Sequence, residues 1–175
     1  MHHLTSSLEM ANIAGLVAKY PRRGILLYKL LEDIKGSISP LSTGMRELII
    51  MYISGLHQQE SGYGTDGAAV TGLAADESII KQLKSDINSA NVDEKLKPIL
   101  RFVKKLTLTP DQITHADVKP IYDAGWDERT FHDSVYLCAV LNCINRFTMG
   151  IGVDMGTESR QERPPVAHSL ATCLS

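Results

Sequence analysis

The chain has 175 residues, of which 43% are hydrophobic and 22% charged, and a formal net charge of −2. This composition is that of one globular domain with a sizeable core, and it lacks the basic blocks of a nucleic-acid-binding protein and any charge attraction to an anionic membrane. The longest apolar runs fall short of the roughly 20 residues that span a bilayer, residues 1–10 lack the order of a signal peptide, and three cysteines without disulfide-framework spacing predict a cytoplasmic protein.

The first half of the chain shows helical periodicity. Residues 8–19 and 24–35 are predicted helices, and Gly36 is a plausible stop for the second one. The central helix follows, with Ser42 or Thr43 as its cap. Its apolar residues recur at three- and four-residue steps, and two more fill the opposite side. They are Met45, Leu48, Ile49, Tyr52, Ile53 and Leu56, with Ile50 and Met51 opposite. Such a helix is expected to lie inside the protein.

Glu47 lies among these apolar residues, on the face of the predicted helix that it shares with Ile50, Met51 and Ser54. A carboxylate in that position is expected to be buried, and it then needs a partner or a raised pKa. The apolar pattern stops at His57, where a polar, glycine-rich run begins, and a short helix over residues 68–73 is predicted after it. A buried acid that leads into a polar break between two helices is typical of a functional site.

The second half is also predicted to be helical. Asp76 and Asn91 are possible caps of two helices, and Pro98 implies a kink or a later start in the second of them. Thr114 followed by Asp117 reads as a capping box. Gly125 ends that helix, and residues 126–127 open the last long one. Because few segments alternate as strands do, the fold class is predicted to be all-α, with about seven or eight helices in a single domain over residues 1–155. Residues 156–175 are predicted to form an extended or disordered tail.

Four segments in a particular order carry a family resemblance. They are LSTGMRELIIMYISGL, DGAAVTGLAADE, FVKKLTLTPDQITHADVKPIYDAGWDERTFHD and AVLNCINRFTMGIGVD. With them the chain resembles the alkylhydroperoxidase D and carboxymuconolactone decarboxylase superfamily, in its peroxidase-related branch, over roughly residues 25–154. The resemblance implies an all-helical fold and assembly as a homo-oligomer.

Redox-active members of that superfamily carry a glutamate, then a Cys-x-x-Cys pair, then a histidine four residues after the second cysteine. Alignment on Glu47 places the cysteine positions at Gln59 and Gly62 and the histidine at Asp66. This register is preferred because DGAAV then overlays the helix after the histidine. An alternative alignment, placed two residues later on Tyr63, assigns the two cysteines and the histidine to three other positions. They are Ser61, Gly64 and Ala68. Neither register contains a thiol, so thiol peroxidase activity is not expected.

Cys138 and Cys143 do not replace the missing pair. They lie five residues apart on the predicted last helix and therefore point about 140° away from each other. That geometry is unfavourable for a disulfide. Both are interpreted as small core residues, which is the usual environment of a free cysteine.

The candidate site residues follow from the resemblance and from the residue types. Glu47 and Asp66 are candidate acid and base, assisted by His57 or Tyr63. Five further residues are candidates for ligand binding. They are Gln59, Gly62, His132, Asn142 and Arg146. For each one a purely structural role is the alternative. Arg146 is also a possible partner of Glu47, and Asn142 lies one turn before Arg146 on the same face. The two histidines and two acids resemble a set of metal ligands only if the fold brings them together, so no metal and no cofactor is expected.

Two functional hypotheses remain open. One is a redox-inactive member of the superfamily that binds a small ligand or serves as an oligomeric scaffold. The other is a cysteine-independent lyase of the carboxymuconolactone decarboxylase type, which works by proton transfer on a carboxylate substrate with carboxylate side chains as acid and base. The expected partners are a second copy of the chain, in a dimer-based assembly, and a small carboxylate, with no nucleic acid and no membrane. A two-fold contact is expected to cover part of the central helix and to place residues 57–66 near a subunit boundary.

Overall fold

The computed structural model describes residues 21–61 and 77–151. Within these ranges the chain forms six α-helices and one short 3-10 helix and contains no strand, which confirms the all-α prediction. The α-helices are α1 (Pro21–Gly36), α2 (Thr43–Ser61), α3 (Glu77–Ser85), α4 (Lys97–Leu108), α5 (His115–Asp123) and α6 (Glu128–Ile151). The 3-10 helix (Pro110–Gln112) links α4 to α5.

Most of the predicted helix ends are confirmed by local hydrogen bonds. Ser42 Oγ accepts from the backbone N–H of Met45 at 3.2 Å, so Ser42 caps α2. Asp117 Oδ2 accepts from both the backbone N–H of Thr114, at 2.8 Å, and its hydroxyl, at 2.9 Å, as expected of a capping box. Gly125 adopts a φ of 85° immediately after Ala124, the C-cap of α5, a conformation that glycine tolerates best.

α4 begins later than the cap at Asn91 would require. The helix starts at Lys97 with Pro98 in its first turn, where a proline costs no hydrogen bond. Lys97 is 5% exposed, and its Nζ donates to the carbonyl oxygen of Asn88 at 2.6 Å and to Glu94. These contacts hold residues 86–96 as turns, so the prediction that Asn91 caps the helix is wrong and the prediction of a later start is confirmed.

α2 lies at the centre of the described part. It packs against α6 and α4 and also contacts α3 and α1. Every residue from 49 to 57 is buried within the single chain, because the helix is apolar on nearly all sides. The predicted interior helix is therefore confirmed. The helix also runs four residues past His57, so the break predicted at His57 is wrong: His57 lies within α2 and is buried.

α6 has one buried and one exposed face. By length and composition it could cross a membrane, and half of its apolar window is buried inside the fold. Six exposed residues of α6 recur at three- and four-residue steps and are called here the α6 stripe; the exposed Arg146 and Met149 lie beside them. The α6 stripe consists of His132, Tyr136, Ala139, Cys143, Phe147 and Gly150. The apolar character of α6 therefore continues onto the surface of the chain.

Trp126 fixes the approach to α6. Its indole Nε1 donates to the carbonyl oxygen of Lys95 at 2.7 Å. The ammonium of Lys95 lies 4.7 Å from the centre of the same ring, in a cation–π contact. Next to it, Asp127 Oδ1 accepts from the backbone N–H of Thr130 at 2.8 Å and caps α6, which begins where the sequence predicts. The predicted helices over residues 8–19 and 68–73 and the predicted tail lie outside the described residues.

Candidate functional site

A buried polar contact joins α2 to α6. His57 is 4% exposed and Asn142 is 8% exposed. Nε2 of His57 lies 2.9 Å from Oδ1 of Asn142. Two polar side chains in an otherwise apolar interface must satisfy each other, because an unpaired buried polar group costs free energy. The contact is therefore a specific connection between the two longest helices.

Arg146 determines how this contact is protonated. Its Nη1 donates to Oδ1 of Asn142 at 2.7 Å. An arginine cannot accept a hydrogen bond, so the atom that it contacts must be the amide oxygen. That oxygen cannot donate to His57, and Nε2 of His57 must therefore carry a proton. In the neutral ring this places the lone pair on Nδ1. The predicted alignment of Asn142 and Arg146 on one helix face is confirmed.

The amide nitrogen of Asn142 extends the network away from Arg146. It donates to Oγ1 of Thr107 at 3.1 Å and to the carbonyl oxygen of Cys138 at 2.9 Å. Thr107 is 2% exposed and its hydroxyl lies 3.4 Å from the sulfur of Cys138. All the hydrogen-bonding capacity of the Asn142 amide is thus in use. We call these five residues, His57, Thr107, Cys138, Asn142 and Arg146, the Asn142 cluster.

The thiol of Cys138 is held in its protonated form. Burial raises its pKa above the ordinary value, although the hydrogen bonds from Thr107 and Asn142 and the charge of Arg146 partly oppose the shift. Cys143 is exposed, so the interpretation of both cysteines as core residues is right for Cys138 and wrong for Cys143. The five-residue spacing places Cys143 on the α6 stripe instead. A thiol with a raised pKa is a poor nucleophile.

Glu47 is separated from the Asn142 cluster. It is half-buried rather than buried: the neighbouring Arg46 is buried, but the continuously buried stretch of α2 begins only at Ile49. Ten residues separate it from His57 on one helix, about 15 Å along the axis. Arg129, in the first turn of α6, donates to the carbonyl oxygen of Ile38 just before α2, so the two helices start at the same end. Within the described residues Glu47 and Arg146 form no ion pair, and the predicted partnership is wrong.

The remaining candidates lie away from the cluster or outside the described residues. His132 is exposed, and its ring packs 4.7 Å from that of Tyr136. It lies ten residues before Asn142 on α6, about 15 Å away along the axis. Gln59 lies in the last turn of α2, and its side chain is not among those described. Gly62, Tyr63 and Asp66 lie outside the described residues. Over residues 21–61 and 77–151 no three metal-ligating side chains form a metal-binding group.

Thr107 is a member of the cluster that the sequence did not reveal. It lies in the last turn of α4, in the sequence Lys-Lys-Leu-Thr-Leu, where its hydroxyl reads as an ordinary helix-end residue. The one available signal is its position four residues after Val103, on the apolar stripe of α4. A polar residue on a buried stripe predicts a buried partner, and Asn142 is that partner.

Solved structures of the same architecture identify the fold. No protein family matches the chain by sequence, and no curated protein does. An uncharacterized peroxidase-related protein from Silicibacter sp. TM1040 superposes with a TM-score of 0.66 at 22% identity, over 80% of this chain and 73% of that one. The alkylhydroperoxidase AhpD core of an uncharacterized peroxidase-related protein from Ralstonia eutropha JMP134 gives 0.65 at 17% identity, over 82% and 75%. The chain has the alkylhydroperoxidase D-like fold.

At these identities the likeness establishes the fold alone. It confirms the all-helical architecture that the four sequence segments implied. Function must therefore be argued from the side chains of this chain. Within the alkylhydroperoxidase D-like fold described here, the Asn142 cluster is the buried polar network that joins α2, α4 and α6.

Proposed function

We propose that this alkylhydroperoxidase D-like protein has no thiol peroxidase activity and binds a small carboxylate at the outer edge of the Asn142 cluster. The observation that carries the proposal is the position of Arg146. One Nη atom of its guanidinium is anchored on the buried amide of Asn142, while the side chain as a whole is exposed. In the described part of the chain Arg146 has no carboxylate partner. An oriented guanidinium without a counter-ion is suited to bind a planar carboxylate through two N–H groups.

The arrangement of the thiols supports the redox part of the proposal. The three cysteines of the chain are Cys138, Cys143 and Cys173, so α2 carries none. Cys138 is buried with a raised pKa and Cys143 is exposed on another side of α6. Thiol peroxidase chemistry needs a reactive thiolate with a resolving thiol close to it. Because an exposed free thiol persists in a reducing environment, Cys143 also fits the proposed cytoplasmic location.

The lyase alternative has less support. It requires Glu47 and Asp66 to act as acid and base in one site, assisted by His57 or Tyr63, and about 15 Å of helix separates Glu47 from His57. Groups that act on one small substrate must reach it within hydrogen-bonding distance. We therefore favour ligand binding over carboxylate acid–base catalysis.

We also propose a dimer-based homo-oligomer that uses the α6 stripe. The buried surface of α2 is covered within one chain, so α2 itself does not require a partner. The α6 stripe gives a different reason to expect a second copy, because Tyr136 and Phe147 are 47% and 44% exposed on the same side of α6. Arg146 lies beside this side of the helix, so a second copy would border the proposed carboxylate site. Light scattering at micromolar concentration tests the assembly, and a monomeric mass with unchanged helix content would contradict it.

Calorimetric titration with benzoate tests ligand binding, with benzamide as the uncharged analogue. We expect saturable binding of benzoate, no binding of benzamide, and a loss of about tenfold or more in affinity in Arg146→Gln. Arg23→Gln removes an exposed arginine from α1 and is the matched control. A peroxidase assay with a thiol electron donor runs in parallel. Turnover that alkylation of the cysteines abolishes would contradict the redox part, and equal benzoate binding in both arginine variants would contradict the site.

A further inference from the structure

A surface groove separate from the Asn142 cluster lies between the turn after α3 and one face of α4. Residues 85–88 form one wall and residues 101–109 form the other, and the groove has a volume of about 510 Å³. This is within the range of roughly 300–1,000 Å³ that is usual for small-molecule sites. Its apolar side chains are Ile87, which is 7% exposed, and the half-buried Leu108. The groove is large enough for an organic molecule with a charged group.

Asn88 holds one of the cations of this groove in a fixed orientation. Its side-chain oxygen accepts a hydrogen bond from Nη2 of Arg101. Its backbone N–H donates to Asp86 at 2.9 Å, and its carbonyl oxygen accepts from the buried Lys97 at 2.6 Å. Because two further hydrogen bonds fix Asn88, the guanidinium of Arg101 is oriented before any ligand arrives. An oriented binding group loses less conformational entropy when it binds.

Two positive charges in the groove are not balanced by a carboxylate. Lys105 is paired with Asp117 at 2.7 Å. The carboxylate of Asp86 is directed to its own turn, where the backbone N–H of Asn88 lowers its pKa. Within the described residues neither Arg101 nor Lys104 has an acidic partner. These two residues are three positions apart on α4, so their side chains are neighbours on one helix face.

We propose that this groove binds a small organic phosphate monoester. Its phosphate would lie between Arg101 and Lys104, and its organic part would lie on Ile87 and Leu108. A phosphate dianion matches two uncompensated cations in charge, and its oxygens suit the planar donor set of arginine. This site is distinct from the proposed carboxylate site at Arg146 and does not depend on it.

Titration with phenyl phosphate and with inorganic phosphate, followed by calorimetry on the full chain, tests the proposal. The unmodified protein should bind both and should bind phenyl phosphate more tightly, because its ring covers the apolar part of the groove. Arg101→Gln and Lys104→Gln should each weaken both ligands, by about tenfold for the arginine. Leu108→Ala should weaken phenyl phosphate alone.

Three controls make the outcome decisive. Lys81→Gln removes an exposed charge from α3 outside the groove and should leave both affinities unchanged. Arg146→Gln should also leave them unchanged, which separates this groove from the carboxylate site. Circular dichroism checks that each variant keeps its helices. The absence of saturable binding, or an equal loss of affinity in Lys81→Gln and Arg101→Gln, would overturn the proposal.

Discussion

Asn142 and His57 meet at 2.9 Å although 85 positions of sequence separate them. Asn142 also bonds Arg146, Thr107 and the backbone of α6. Replacing it with alanine removes the shared acceptor and donor at once and leaves buried polar groups without partners, each at about 1–3 kcal/mol. We expect Asn142→Ala to lower the free energy of unfolding by at least about 2 kcal/mol, measured by urea denaturation.

Asn91→Ala is the control for that prediction. Asn91 is exposed and lies in a turn where its backbone N–H, not its side chain, bonds Gln82. Its replacement should change the free energy of unfolding by less than about 0.5 kcal/mol. If both substitutions changed the free energy of unfolding equally, the Asn142 cluster would make no specific contribution to stability.

The two described cysteines should differ in reactivity. Cys143 is exposed, whereas Cys138 is buried and its pKa is raised by that burial. At a protein concentration low enough to leave the α6 stripe uncovered, we expect iodoacetamide to alkylate Cys143 rapidly in the native protein and Cys138 only once urea has unfolded it. Mass spectrometry of the peptides gives the order directly. Equal native rates for the two thiols would show that α6 opens readily.

Asp117 should make stability depend on pH in the acid range. Its bond with Lys105, together with the bonds from Thr114, lowers its pKa from 3.8 to about 2. Since the folded pKa lies below the unfolded one, the stabilisation is complete above about pH 4 and is lost as the pH falls towards 2. Asp117→Asn should therefore be less stable than the unmodified protein at neutral pH, and the difference should shrink by pH 2.

Chemical denaturation at a series of pH values measures this difference. Asp123→Asn removes an exposed carboxylate that pairs with Lys119 one turn away, and it is the matched control. Such exposed pairs contribute little. If the two aspartate variants lost the same stability at neutral pH, the capping bonds of Asp117 would have no measurable effect.

Tyr52 has a buried hydroxyl that forms no hydrogen bond within the described residues. Its side chain is fully buried, and burial raises its pKa to about 12. Removing an unsatisfied hydroxyl while keeping the ring relieves a desolvation cost. Tyr52→Phe should therefore be as stable as the unmodified protein or more stable by about 1 kcal/mol, as judged by thermal unfolding. Tyr52→Ala should lose about 3–5 kcal/mol, as aromatic truncations in cores do.

The alkaline range gives a second check on Tyr52. The folded pKa lies above the ordinary value of 10, so Tyr52 ionises first in the unfolded chain. Its ionisation therefore leaves the free energy of unfolding unchanged below about pH 10 and lowers it as the pH rises towards 12. The stability of Tyr52→Phe should fall less over that interval than the stability of the unmodified protein. Parallel curves would indicate that the hydroxyl is solvated or bonded.

The sequence was informative where a single residue determines the local backbone. Ser42, Thr114 with Asp117, and Gly125 act on their own helix ends, so their roles were predicted correctly. Asn91 has the same chemistry but does not cap a helix. Lys97, buried against Asn88, holds that stretch in turns, and no local pattern encodes such a tertiary contact.

The candidate site was predicted less well, for a related reason. Asn142 and Arg146 were identified because they are one turn apart on one helix. Their connection to His57 and Thr107 joins three helices and has no sequence period. Glu47 was expected to be buried from helical spacing alone, but spacing does not specify where along its length a helix emerges from the core. Glu47 lies two residues before the continuously buried stretch of α2, which begins at Ile49.

The contact between Trp126 and Lys95 also has a spectroscopic consequence. Trp126 is the single tryptophan of the chain. Its emission therefore reports on one place, the junction between the start of α6 and the turn before α4. A lysine ammonium over the ring and a hydrogen bond at the indole nitrogen both perturb that fluorophore, so its signal should change when the junction opens. Circular dichroism averages over all helices. Comparing the two signals during unfolding would show whether this junction separates before the helices melt.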